Sequence, residues 1–193
     1  MSSNGLEAID GLTLPEEYRA LLRPGERVQG EDGIAHHLPR FFFAVPSWSA
    51  AREYRIAEHF RLAELMAVDS LEADLLLHNF PHYVPCAIAI LARYLEDFRR
   101  EADATVFVSA NGGYRSPAHR RNIGKTAHNW GTAADIYRVG DTYLDDERAI
   151  ARYASVAERL GPQVCVRPYS EGDDHLHIDL GFFTVTPRHC SES

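Results

Sequence analysis

A chain of 193 residues with 45% hydrophobic content is long enough to close one domain around a sizeable core. Its formal net charge of −8 and sequence pI near 5.6 argue against a general affinity for nucleic acid, for an anionic membrane or for anionic cell-wall polymers, because all of these ask for a basic surface. Cys86, Cys165 and Cys190 form an odd set without metal-type spacing, which speaks against a disulfide framework and is compatible with a reducing compartment.

The first residues, MSSNGLEAIDGLTLPEE, have neither a basic start nor an apolar run, and FFFAVP at 41–46 is too short to span a bilayer. A cytoplasmic protein without a signal peptide or membrane anchor is therefore expected, reaching the outside only by lysis or by fusion. Residues 1–50 mix Gly, Pro and charge and read as an irregular N-terminal extension. It holds one short helix, PEEYRALL, with Pro15 in its first turn, and packs on the domain through the run of phenylalanines at 41–43 and Trp48. His36 and His37 read as surface residues. Residues 51–186 form the domain proper, and 187–193 a frayed tail in which His189 and Cys190 are weak metal candidates.

Leu62, Leu65 and Met66 are spaced for a helix within 53–68. His78 and His82 are four apart, but Pro81 breaks the helical geometry, so this stretch reads as a loop. Val84, Ile88, Leu91, Leu95 and Phe98 recur in steps of four and three and predict the longest helix, over about 83–101. TVFVS at 105–109 predicts a strand that delivers the turn Asn111-Gly112-Gly113. SPAHRRN then starts a helix with Ser116 as its cap, leaving His119, Arg120 and Arg121 exposed. A second good helix covers 145–160, capped by Asp145 and closed by Gly161. QVCVR at 163–167, HLHIDL and FFTVT complete a small antiparallel sheet flanked by helices, an α+β fold.

The chemistry concentrates in 109–135 and 173–181. His128 and Asp135 have metal-ligand character, yet on a regular helix they would stand roughly 10 Å apart, so the chain must fold back between them. Gly131 permits that turn, and TAADIY then reads as a strand carrying Asp135. In HLHID the period-2 alternation puts His175, His177 and Asp179 on one face and Leu176, Ile178 and Leu180 on the other. A histidine and an aspartate from the first segment with a histidine from the second make a three-ligand site with one position left for water, as a hydrolytic metal centre requires.

The stretch GYRSPAH, then TAHNWGTAAD, then HLHID resembles the zinc D-alanyl-D-alanine carboxypeptidases and related peptidoglycan metallopeptidases, which share their fold with the Hedgehog signalling domain. Their pattern is a GYRS-type segment, then Ser-x-His-x-x-Gly-x-Ala-x-Asp, then a last histidine on a strand. Thr126 stands where Ser is usual, while His128, Gly131, Ala133 and Asp135 match; AEHFRLAEL at 57–65 extends the likeness to roughly residues 57–183. The resemblance implies a Hedgehog/DD-peptidase-like fold and a Zn²⁺ site of His128, Asp135 and His177. It offers two general bases, Asp174 by analogy with the carboxypeptidase branch and His175 by analogy with enzymes ending in His-x-His; strand geometry favours His175. Arg115 looks like the family's substrate anchor, holding a carboxylate or polarising the carbonyl, or else is a buried arginine paired with Asp135 or Asp179. Tyr114, Ser116 and Thr126 add hydrogen bonds to substrate, with a helix cap as the plain alternative for Ser116. Trp130 is either a pocket wall or a core plug, and Asp179 either orients a ligand imidazole or merely ends the strand.

The expected activity is hydrolysis of peptidoglycan stem peptides or small D-amino-acid peptides, by a phage-type lysis enzyme or a cytoplasmic dipeptidase or recycling enzyme. A metal-stabilised binding module is the non-catalytic alternative. A weaker one takes His177-Ile178-Asp179 as part of a non-haem iron oxygenase triad, for which only His189 lies downstream.

Overall fold

The computed structural model describes residues 6–121, 125–161 and 163–188. In chain order its elements are β1 (Glu7–Asp10), α1 (Glu16–Leu22), β2 (Arg27–Gln29), β3 (Ala35–His37), β4 (Phe41–Val45), α2 (Trp48–Glu53), α3 (Leu62–Met66), α4 (Asp74–His78), β5 (His82–Pro85), α5 (Ile88–Ala102), β6 (Val106–Val108), β7 (Ala133–Val139), β8 (Thr142–Tyr143), α6 (Glu147–Arg159), β9 (Cys165–Val166) and β10 (Leu176–Asp179). The fold is α+β, with small antiparallel sheets.

The apolar stripe of α5 explains the core. Ile88, Leu91, Leu95 and Phe98 are fully buried, and they join Leu65 and Met66 of α3, Ile136 of β7 and Leu176 and Ile178 of β10 in one cluster. The main sheet runs β6-β7-β10-β9, with β8 beside β7. It presents its apolar face to this cluster and leaves its other face for the site. The alternation in β10 divides as expected: Leu176 and Ile178 go to the core, while His177 and Asp179 face a cleft.

Residues 6–50 are not irregular. β1 and β4 form a second antiparallel sheet with β5, pairing Phe42 with Pro85 and Val45 with His82, and β2 with β3 make a hairpin. That sheet crosses the expected boundary at residue 50. Phe42 is buried with Leu14, Tyr18, Leu22, Leu76 and Tyr83 in a second cluster, and Trp48 packs edge-on against Phe80 at 5.7 Å. Strands this short carry little periodicity of their own, and the partner of β4 lies some forty residues away.

Four boundaries differ from the expectation. Val84 belongs to a strand, because the proline after it disfavours helical backbone, and α5 begins only at Ile88. Among the described residues no helix follows directly on Ser116, over 117–121. Its N–H and hydroxyl are bound by Glu72, the carbonyl of Pro117 accepts from Lys125 Nζ at 2.8 Å, and Arg120 N–H donates to Leu71 O, so tertiary partners replace the helical ladder. Asp146, not Asp145, caps α6, accepting from Ala149 N at 2.8 Å. FFTVT forms no strand. His189 and Cys190 lie outside the described residues.

Candidate metal centre

Antiparallel pairing of β7 and β10 sets Asp135 directly opposite His177. Side chains opposite one another on such a pair lie about 5 Å apart at Cβ and meet on the same face. The His177 Nδ1–H accordingly donates to Asp135 Oδ1 at 2.7 Å. His128 arrives from the other side, on a 3₁₀ turn spanning Ala127–Trp130 that ends in Gly131 at φ +69°. That left-handed residue turns the chain straight into β7, which is the fold-back that the spacing demands. His128 Nε2 then stands 3.3 Å from Asp135 Oδ1.

The three ligand atoms lie within 4.8 Å of one another, and His128 and Asp135 are buried. Ligands bonded to one ion at about 2.0–2.2 Å are separated by roughly 3.3 Å, which is the distance of His128 Nε2 from Asp135 Oδ1, whereas His177 Nδ1 at 2.7 Å lies nearer to that oxygen. The outward atoms are held too. His128 Nδ1–H donates to the carbonyl of Gly113 at 2.7 Å, which leaves Nε2 as the free lone pair. His177 Nε2 lies 3.5 Å from Asp179 Oδ2, and Asp179 Oδ1 accepts from Gly181 N–H at 2.9 Å. Asp135 turns its second oxygen to the Arg115 guanidinium, whose Nε donates to Asn111 O at 2.7 Å. Each ligand is thus oriented by a neighbour, as metal-binding imidazoles and carboxylates generally are. The group can hold a metal ion.

Electrostatics agree with this division. Burial pushes His128 below the ordinary imidazole value, keeping it neutral, despite Asp135. Burial opposes charge on His177 as well, but its hydrogen bonds to Asp135 and Asp179 prevail and raise it to about 9. Asp135, although desolvated, is held well below the usual carboxylate range by the two histidines.

The centre forms part of the wall of a cleft of about 1050 Å³. His175 and Asp174, the two alternative bases, both line it, and they are bonded to each other: His175 Nδ1–H donates to Asp174 Oδ1 at 2.7 Å. His175 Nε2 lies 3.6 Å from Asp135 Oδ1. Arg115 and Thr126 also line the cleft. The pairing of Arg115 with Asp135 is the structural alternative that its sequence context allowed.

Three expected substrate contacts do not reach the cleft. Tyr114 is buried with no hydrogen-bond partner for its hydroxyl among the described residues, and desolvation raises that phenol well above its ordinary value. Ser116 is buried against Glu72, donating to Oε1 at 2.6 Å, although its Oγ does accept from Ala118 N–H. Trp130 is a core plug, packed with Val28, Leu38 and Phe182, its indole N–H donating to His37 O at 2.8 Å. His119, expected at the surface, is buried near Asp69.

Two residues escaped the sequence reading. Glu72 binds both the N–H and the hydroxyl of Ser116 and so pins the segment that carries Arg115; a lone acid before an apolar run gives no hint of this. Arg167 closes on His175, its Nη2 3.1 Å from Nε2, across a gap of eight residues without any recognisable motif. Half-buried His36 stacks on Phe182 of the cleft wall at 4.4 Å and pairs with Asp32, so the β2–β3 hairpin also borders the site.

Among the described residues no helix is long and apolar enough to cross a membrane. Comparison with protein-family models, with curated proteins and with solved structures found no match to this chain.

Proposed function

We propose that this chain is a zinc-dependent peptidase with a Hedgehog/DD-peptidase-like fold, hydrolysing peptidoglycan stem peptides or small D-amino-acid peptides. One observation carries the reading: His128, Asp135 and His177 converge beside a cleft, with His175, itself bonded to Asp174, 3.6 Å from the same carboxylate. The donor set of two imidazoles and one carboxylate suits zinc in a site that keeps a position open. Bound there, zinc supplies a water of lowered pKa and polarises the scissile carbonyl.

The chain's own residues supply the rest. Asp174 orients His175 by accepting from Nδ1–H, and Nε2, which accepts from Arg167 Nη2 at 3.1 Å, is the atom that takes a proton from water once that contact opens and returns it to the leaving nitrogen. Asp174 acts through His175 and is a positioning residue. Arg115 holds the Asp135 carboxylate in place, and as a residue of the cleft wall it stands where a carbonyl oxygen gains charge. Thr126 lines the same cleft, with its hydroxyl buried at the wall.

The test is elemental analysis of protein purified without added metal, followed by mass spectrometry of D-alanyl-D-alanine and of isolated stem peptides after incubation. Expected are about one zinc per chain, lost in His128→Ala and His177→Ala, and zinc-dependent cleavage. Iron in place of zinc, a folded metal-free protein, or bound zinc without any cleavage defeats the proposal, the last in favour of a metal-stabilised binding module.

A further inference from the structure

Away from the cleft, two buried polar atoms have no hydrogen-bond partner among the described residues, the hydroxyl of Tyr114 and Nε2 of His82, and both residues line one small cavity. Glu72 and Ser116 complete its polar wall, and all four residues are more than nine-tenths buried. The cavity lies at the seam of the two apolar clusters, with Leu22 and Leu76 of one and Met66 and Val84 of the other around it. It offers about 20 Å³ of room. About 10–15 Å³ suffices for one water molecule.

The polar wall has bonding capacity left over. A carboxylate offers about four lone-pair positions. Glu72 Oε1 accepts from Ser116 Oγ at 2.6 Å and from Ala73 N–H at 2.8 Å, and Oε2 accepts from Ser116 N–H at 3.1 Å, so one position on Oε2 is unused among the described residues. Burial raises the Tyr114 phenol well above its ordinary value, so it stays protonated and its O–H must donate. His82 Nε2 carries either a lone pair or a proton, according to the tautomer. A buried group of either kind is costly to leave unbonded.

We propose that this cavity is a binding site for one water molecule, which accepts from the Tyr114 hydroxyl, donates to Glu72 Oε2 and bonds His82 Nε2. Three hydrogen bonds are typical of a buried water. Its two protons and two lone pairs suffice for either tautomer of His82, since it donates to a bare Nε2 and accepts from a protonated one. Other small occupants fit worse. A cation has no lone pair for the Tyr114 proton, an anion meets the Glu72 carboxylate, and an apolar occupant leaves both orphaned atoms unbonded.

The position of the site gives the water a structural task. His82 belongs to β5, in the sheet built with β1 and β4. Tyr114 stands between Gly113, whose carbonyl holds His128, and Arg115, which holds Asp135. The water therefore joins the second sheet to the segment behind the metal centre, and this link does not depend on the reaction that the cleft performs.

The test is a crystal structure of the purified wild-type protein at a resolution that shows ordered water, together with a thermal double-mutant cycle of Tyr114→Phe and His82→Phe. Expected is one peak of water density within hydrogen-bond distance of Tyr114 Oη, His82 Nε2 and Glu72 Oε2. Both substitutions keep an aromatic ring and delete the polar atom that the water meets. Independent groups give melting-temperature losses that add, whereas groups sharing one water do not. The double variant is expected to lose less than the sum of the single variants, because a water left with one partner can leave the site. Absence of the peak, a peak out of reach of either ring, a direct bond from Tyr114 to Glu72, or additive losses overturns the proposal. If either variant fails to fold, the density in the wild type decides alone.

Discussion

His175 and Asp174 form one hydrogen-bonded unit, Nδ1 to Oδ1 at 2.7 Å, although the aspartate side chain is 86% exposed. The choice between them as base thus becomes a difference of rank. His175→Ala is expected to lower kcat by about 10²–10⁴-fold, the usual worth of a positioned acid–base group. Asp174→Asn, acting only on imidazole orientation in a solvated pair, should cost about ten-fold or less. Steady-state rates on whichever stem peptide is cleaved decide this, and an Asp174 variant as inactive as the His175 variant would reverse the order.

Asp179 lies on the far side of the His177 ring, its Oδ2 3.5 Å from Nε2. Outer partners of metal-binding histidines typically account for about 10–100-fold in affinity. Asp179→Asn should weaken zinc by that order in a competition titration against a chromophoric chelator, with little change in the melting temperature of the metal-free protein. Unchanged affinity would make Asp179 a strand-end acid bonded only to Gly181.

Arg115 and Asp135 are a buried pair, with side chains 15% and 5% exposed. Removing one partner of such a pair leaves an uncompensated charge and costs about 3 kcal/mol or more. Arg115→Ala is expected to lower the melting temperature of the metal-free protein by on the order of 10 °C. Excess zinc should recover part of the loss by restoring a positive partner to Asp135. Differential scanning calorimetry with and without zinc measures both effects.

Gly113 does two jobs. Its carbonyl fixes the His128 tautomer, and a Cβ added to it would sit 2.1 Å from the carbonyl oxygen of Leu65. Gly113→Ala must displace backbone, so a destabilisation on the order of 3 kcal/mol is expected, accompanied by reduced zinc content. Gly172→Ala is the control for handling: its added Cβ meets nothing within 4 Å, and although its φ of +92° strains an alanine, it should leave the metal site intact.

His82 is buried, stacked on Phe80 at 4.0 Å with Trp48 at its edge. Desolvation holds it below the ordinary value of 6.5, despite the opposing pull of Glu72. The fold therefore favours neutral His82, whereas the unfolded chain takes up a proton at about 6.5. The stability it contributes is complete above that pH and is lost as pH falls below it. Chemical denaturation of wild type and His82→Phe from pH 7.5 down to 5 should show the wild type losing more stability below 6.5. Parallel curves would assign the acid sensitivity elsewhere.

The sequence determined what is local and periodic. The alternation of HLHID, the stripe of α5 and the glycine-permitted turn between His128 and Asp135 each follow from rules acting over a few residues, and these bring the metal group within reach of recognition. Tertiary structure alone decided the register that sets Asp135 opposite His177, the Gly113 carbonyl behind His128, Glu72 beneath Ser116 and the reach of Arg167 over His175. It also decided which neighbours of the motif face the cleft, sending Tyr114, Ser116 and Trp130 inward. The same cause underlies all of these: each is a pairing across the chain, fixed by how sheet and helices pack, and no period in the sequence encodes a partner eight to forty-four residues away.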